Sequence, residues 1–419
     1  MRWMIADNKP MPFSARQPLV ASQPAKREEI DNPGGFAHVP ALDGIRGLAI
    51  LLVLFDHLFW ANSNTGNRFF DFVSMIRESS FVGVNLFFAL SGFLITGILL
   101  DTLRIPHFFK TFYARRILRI FPLYYGVFFL MLLFTGPLHA VWNGWQYYFL
   151  TYTANLALWA RPPLILPHLN ITHFWSLQVE EQFYLVWPFV VYRVRKPQTL
   201  IRISIVTCIA VLLIRVGLVI ARPHLHNIYL PYSPTFSCVD NLLFGCCLCA
   251  LLRTSMRSQV LKLAPKVFAA CVFVLVCAAF LNGGLGWQKS FFIPTLGFSL
   301  IGIGSASLIA MTLRAGSSSE CIFGNKVLRF FGKYSYGLYV FHYSIEAWLS
   351  GPIRAFMDAR FHSKALGVLA GAVVVALVTI IVSLLSYHLY ESRFLRLKRY
   401  FSYNNRVPTH DRQAAESGA

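Results

Sequence analysis

The chain is predicted to be all-α, a polytopic integral membrane helical bundle of about ten transmembrane helices with both termini cytoplasmic. Three observations predict this class. Of 419 residues, 56% are hydrophobic and only 13% are charged, which is not the composition of a water-soluble domain. Apolar runs near 20 residues recur along the chain, each long enough for a helix to cross about 30 Å of hydrocarbon. The net charge of +20 is also sorted by side. With the N-terminus inside, 28 of the 38 lysines and arginines fall in inside segments and 8 in outside loops, the positive-inside bias of membrane proteins. The excess charge therefore reports topology and an affinity for a lipid bilayer with anionic headgroups; nucleic acid is not an expected partner.

In chain order the spans are read at 44–62, 81–101, 117–136, 174–194, 200–221, 236–252, 264–282, 291–314, 330–350 and 366–390. The aromatic segment 144–160 is too polar for a span and reads as an interfacial or re-entrant piece. Counted as an eleventh span, it would put the basic loops 193–202 and 253–266 outside. Residues 1–40 are polar and proline-containing without an apolar h-region, so they read as a cytoplasmic tail and not as a cleaved signal peptide. Residues 41–391 form one membrane domain, and 392–419 a basic cytoplasmic tail. No internal repeat or appended soluble domain is apparent. Of the eight cysteines, Cys246, Cys247 and Cys249 cluster without a CxxC pair or histidine partners, so they read as small apolar residues, and no metal is expected.

The first span carries the most informative pair, Arg46 and His57 in LDGIRGLAILLVLFDHLF. Eleven helical residues advance roughly 16 Å and return to within about 20° of the same face. One stripe of one helix thus holds a fixed cation near one membrane surface and a titratable imidazole near the other. Ionisable groups at such depth are costly and mark function. The separation resembles that between the phosphates and the thioester sulfur of an extended coenzyme A.

Further groups are expected to join this pair. Glu180 and Glu181 in HFWSLQVEEQFYLVWP lie at a depth similar to that of His57, and one of them is expected to orient its imidazole; both otherwise read as helix–helix glue. Ser176, one turn earlier, is placed to hydrogen-bond Glu180. Asp56 points elsewhere, with Arg68 as a candidate partner. His342, with Glu346, Tyr336, Tyr339 and Tyr343 nearby, lines an acceptor pocket or serves as packing. At the basic end, Arg115, Arg116 and Arg119 in FYARRILRIFPLYY suit phosphate oxygens, although any inside loop is expected to be basic. Gly83, Ser91, Gly92 and Gly97 of the second span allow either close helix approach or room for a pantetheine arm. Trp142, Trp145, Tyr147, Tyr152 and Trp159 are candidates to stack on sugar rings, or interface aromatics.

Taken in order, LDGIRGLAILLVLFDH, GVNLFFALSGFLIT, FYARRILRIFPLYY, HFWSLQVEEQFYLVWP and GKYSYGLYVFHY resemble the acyltransferase 3 family of membrane O-acyltransferases, over roughly residues 40–400. The resemblance implies transfer of an acyl group, commonly acetyl, from cytoplasmic acyl-CoA to a hydroxyl of a carbohydrate or lipid-linked sugar acceptor, with no permanently bound cofactor. It implies His57 as catalytic base and matches Arg46, Arg115 and Arg116 to the family's basic positions and Glu180 and Glu181 to its acids; Arg119 joins the donor-binding candidates by its helical spacing. Ser176, Asn85 or a tyrosine such as Tyr336 is left to stabilise the oxyanion, and a transient acyl-histidine is an alternative route. Asn85 stands where the family often has Asp. The hydrolase-like C-terminal domain of some members has no counterpart here, so acceptor handling is expected within the membrane domain. The rival reading is a transporter or flippase of lipid-linked sugars using the buried ions as a proton relay; no inverted repeat supports it. Neither the acceptor's identity nor an oligomeric state is written in these motifs.

Overall fold

A computed structural model describes residues 39–58, 73, 76–133, 144–160, 171–221, 232–282, 290–314 and 316–403. Each expected span in these residues meets a helix. They are α1 (Pro40–Leu58), α2 (Val82–Thr102), α3 (Phe108–Leu133), α4 (Trp175–Val194), α5 (Pro197–Ala221), α6 (Asp240–Leu251), α7 (Arg257–Asn282), α8 (Phe298–Thr312), α9 (Lys326–Phe361) and α10 (Lys364–Ser386). No strand occurs among the described residues. The tail expected at 1–40 lies outside them up to residue 38, as do Trp142 and Arg68 and the side chains of Trp145 and Trp159.

By length and apolarity, six helices among the described residues can cross a membrane: Ile76–Thr102, Phe108–Leu133, Pro197–Ala221, Arg257–Leu281, Ile293–Thr312 and Lys364–Tyr400. The other four expected spans are helical but fall short of that standard. α6 has only 12 residues. α1, α4 and α9 carry charged side chains, many of which the site uses. The chain is a multi-pass membrane protein. Its apolar stretches are sorted as lipid requires: those of α2 and α8 are 72% and 78% buried, while those of α5 and α7 are only 22% and 17% buried and turn apolar faces outward.

The centre is α1, gripped by α9 and α2, with α6 behind α2 and α10 behind α9. Small residues permit these contacts. A Cβ at Gly47 of α1 would overlap the Leu328 carbonyl oxygen of α9, and one at Gly92 of α2 would overlap that of Leu242 in α6. Behind α6 lies a fully buried ion pair. Arg215 of α5 donates to both carboxylate oxygens of Asp240, at 2.8 and 2.7 Å, and to Ser299 Oγ at 2.6 Å.

The segment 144–160 forms two short helices, Trp145–Leu150 and Ala154–Ala160, broken at Tyr152, whose φ is 56°. They dock on α4, where Gln178 Oε1 accepts from the Asn155 backbone N–H at 2.7 Å and Gln182 donates to the Tyr152 carbonyl at 2.7 Å. Tyr152 stacks 4.3 Å from Tyr124, so this candidate sugar-stacking ring is packing. Tyr147 remains exposed.

The start of the expected C-terminal tail is ordered against α3. A helix, Ser392–Leu397, and a 3-10 turn, Lys398–Tyr400, lead to a buried Tyr403.

Candidate active site

Two cavities meet inside this bundle. The larger, about 330 Å³, is lined by α1, α2, α3, α4 and α9. Three of the four candidate donor arginines line it: Arg46, Arg116 and Arg119. Arg46 is held by Asp43 at 2.7 Å. Asp101, also on the wall, takes both its oxygens to Arg253 at 2.9 and 2.8 Å. Among the described residues, no carboxylate lies within ion-pair distance of Arg116 or Arg119. Arg116 lies over the rings of Phe112 and Tyr184, at 5.7 and 5.6 Å. Two guanidinium groups without carboxylate partners leave this cavity suited to an anion.

Arg115 departs from the expectation. Its guanidinium donates to the carbonyls of Lys398 and Phe401, at 3.2 and 3.0 Å, and stacks 4.9 Å from Tyr403. Phase alone does not exclude it from the cavity face, since Arg115 lies about 40° from Arg119 around the helix; the cause is tertiary, the C-terminal segment offering it two carbonyls and a ring. Arg115 fastens the C-terminal segment.

The smaller cavity, about 110 Å³, holds His57, together with Asp56, His173, Trp175, Tyr232 and Tyr343. Val84 and Tyr339 line both cavities, so they form the wall between them. Arg46 and His57 thus occupy successive chambers along one stripe of α1, as their spacing predicts. His57 Nδ1 sits 2.9 Å from the Val53 carbonyl. A carbonyl only accepts, so Nδ1 carries a proton, and in the neutral imidazole Nε2 is the nitrogen with the free lone pair. Its ring packs edge-on against His342 at 4.9 Å and Tyr343 at 4.7 Å.

The expected carboxylate partner is elsewhere. Glu180 lines the larger cavity, with Ser91, Arg116, Arg119 and Arg46 as its electrostatic neighbours. Among the described residues, no hydrogen bond joins it to His57. The depth estimate was off by two helical turns: seven residues of helix span roughly 10 Å and return to the same face, and it is His173, seven positions before Glu180, that reaches the His57 chamber. Glu181 turns toward Tyr124, Tyr125 and Tyr152, and its Oε1 is buried without a partner.

The oxyanion candidates also resolve. Ser176 bonds Tyr339, 2.5 Å away, and the His173 carbonyl at 3.3 Å, and not Glu180. Asn85 lines neither cavity; it shares its stripe with Ala89 and Gly92, which press on α6. Tyr336 lines the larger cavity but spends its hydroxyl proton on the Ile120 carbonyl at 2.6 Å. His342 stands behind the smaller cavity, fully buried, with Nδ1 on the Tyr339 carbonyl at 2.7 Å. Asp56 pairs with Arg77 at 3.5 Å. Of the second-span small residues, Gly97 and Ser91 face the larger cavity and Gly92 serves helix contact. His173 and Tyr232 were missed by sequence reading, although His173 opens the very motif that supplied the acids.

The profile of a family described as an acyltransferase domain matches residues 39–388. The chain therefore belongs to the acyltransferase 3 family. It is 29% identical over 399 residues to YrhL of Bacillus subtilis, covering 89% of this chain and 57% of that protein. It is 28% identical over 344 residues to the peptidoglycan O-acetyltransferase OatA of Listeria monocytogenes, covering 74% and 49%. To the O-acetyltransferase OatA of Staphylococcus aureus it is 25% identical over 347 residues, covering 75% and 51%. The chain spans about half the length of the curated relatives it matches. No solved structure matches.

Proposed function

We propose that this chain is a membrane O-acetyltransferase moving an acetyl group from cytoplasmic acetyl-CoA to a hydroxyl of a cell-surface polysaccharide, at the inner membrane of a bacterium. One observation carries the proposal: an arginine-lined cavity and a histidine chamber share a single wall, Val84 and Tyr339. Arg116, Arg119 and Arg46 hold the donor phosphates, and the pantetheine arm runs along Ser91 and Gly97 toward that wall. The names of the OatA relatives support acetyl as the group moved, and that of the Listeria protein supports a glycan of the peptidoglycan type as acceptor.

At the chamber, His57 Nε2 takes the acceptor hydroxyl's proton as its oxygen attacks the thioester carbonyl. The tetrahedral adduct collapses, the C–S bond breaks, and the departing thiolate takes the proton back from the imidazolium. The products are an acetyl ester and free coenzyme A. The Val53 carbonyl, in the role expected of a carboxylate, fixes the productive tautomer. Glu180 steadies the arginine face of the donor chamber.

The test is binding of acetyl-CoA to purified, membrane-reconstituted protein, followed by thermal shift. Stabilisation that rises with acetyl-CoA concentration is expected, and it should weaken in Arg116→Ala and Arg119→Ala. No stabilisation in wild type would overturn the donor assignment.

A further inference from the structure

We propose that His173 is the acceptor-binding residue of this enzyme, holding the attacking sugar hydroxyl in the smaller cavity beside His57. The inference rests on the reading above and adds the acceptor's place to it. His173 is 4% exposed, and among the described residues neither ring nitrogen makes a well-formed hydrogen bond, although the backbone of Tyr339 and Val340 lies beside the ring. Burying nitrogens without a well-formed bond is costly, and the cavity they line has room for a partner. His57 and His342 each have Nδ1 anchored on a carbonyl one turn back; the His173 ring lies instead beside the backbone of Tyr339 and Val340, on another helix, without a well-formed bond to it. Its backbone is fixed instead, since its carbonyl accepts from Tyr339 at 2.8 Å. The ring is therefore positioned, with nitrogen hydrogen-bonding capacity left for a ligand in the cavity.

A neutral imidazole offers one donor and one acceptor, as does a hydroxyl, so the two complement each other. The remaining wall fits a carbohydrate: Trp175 and Tyr232, 4.7 Å apart, and Tyr343 supply aromatic surface, and Asp56 and Thr172 supply polar groups. At about 110 Å³ the cavity has room for a sugar hydroxyl between His57 and His173. An acceptor held there stands across the Val84–Tyr339 wall from the donor, with His57 beside it.

The experiment uses the full chain in nanodiscs, radiolabelled acetyl-CoA as donor and chitopentaose as the hydroxyl acceptor, with His173→Asn and His173→Gln beside wild type. Each variant keeps an amide near one ring-nitrogen position, so the two probe the site independently of folding. The expected result is a KM for chitopentaose raised about tenfold or more in at least one variant, with acetyl-CoA affinity within about twofold of wild type. An unchanged acceptor KM in both variants would overturn the assignment, as would parallel loss of acetyl-CoA binding, which marks a structural role. Wild type that binds acetyl-CoA but transfers nothing to chitopentaose overturns the sugar assignment alone. Wild type that does not bind acetyl-CoA sinks the underlying donor reading as well.

Discussion

At the scale of single residues, the site depends on which partners a side chain meets. Arg116 and Arg119 line the donor cavity, while Arg115, one position from Arg116, is committed to the carbonyls of Lys398 and Phe401. Initial-rate kinetics should separate them. Arg116→Ala and Arg119→Ala are each expected to raise the acetyl-CoA KM by about tenfold or more, the worth of a charge-assisted hydrogen bond. Arg115→Ala should leave that KM within about twofold and instead open residues 398–403 to limited proteolysis. Part of this was legible in the sequence. The Arg46–His57 spacing was readable because an uninterrupted helix has fixed geometry. The pairing of His57 with Glu180 was misread because relative depth across two helices depends on where each begins, and the 3-10 turn Thr172–Phe174 extends α4 outward to His173. The tautomer-fixing carbonyl of Val53 carries no side-chain signature at all.

At the scale of elements, the partition between the proposed donor and acceptor chambers is formed by Val84 of α2 and Tyr339 of α9, which line both cavities. Widening it with Val84→Trp should block the thioester's path. Transfer is expected to fall by about 100-fold, the cost of misplacing a reacting group by about 1 Å, while acetyl-CoA binding survives. Equal loss of binding and transfer would mean that the two chambers do not act in sequence. A second element-scale feature is the clamp of α5, α6 and α8 around Arg215 and Asp240. Asp240→Asn removes the counter-charge of a fully buried guanidinium and should cost about 3–5 kcal/mol of stability. The double change Arg215→Leu with Asp240→Leu should recover most of it, as judged by thermal unfolding in detergent. The pair was invisible to sequence reading, where Arg215 is one cation in an apolar run and Asp240 lies 25 residues away. The polar face of α4 was half legible: Ser176, Glu180 and Tyr184 recur at helical spacing toward the cavity, but nothing local announces that Gln178 and Gln182 hold the 144–160 helices.

At the scale of the whole molecule, each span expected from hydropathy meets a helix among the described residues, because a lipid-facing helix must be apolar over about 20 residues wherever it sits. Hydropathy was least decisive at α1, α4 and α9, where the site's own charges dilute the apolar signal. The C-terminal segment reads as a generic basic tail because its anchoring groups, a guanidinium on backbone carbonyls and a buried Tyr403, are tertiary. The ten-span reading expects the arginine end of the larger cavity and both termini in the cytoplasm. Reporter fusions at residue 419 should therefore be active for a cytoplasmic reporter and silent for one that requires export. The opposite pattern would place the arginines on the side without acetyl-CoA and break the sided mechanism.

The most direct test is label transfer by the purified, reconstituted chain from radiolabelled acetyl-CoA to chitopentaose, wild type against His57→Ala. With His57 as the general base, wild type labels the oligosaccharide and the variant, still stabilised by acetyl-CoA, transfers label about two to four orders of magnitude more slowly. A folded, donor-binding His57→Ala protein that labels the oligosaccharide at the wild-type rate would contradict the mechanism.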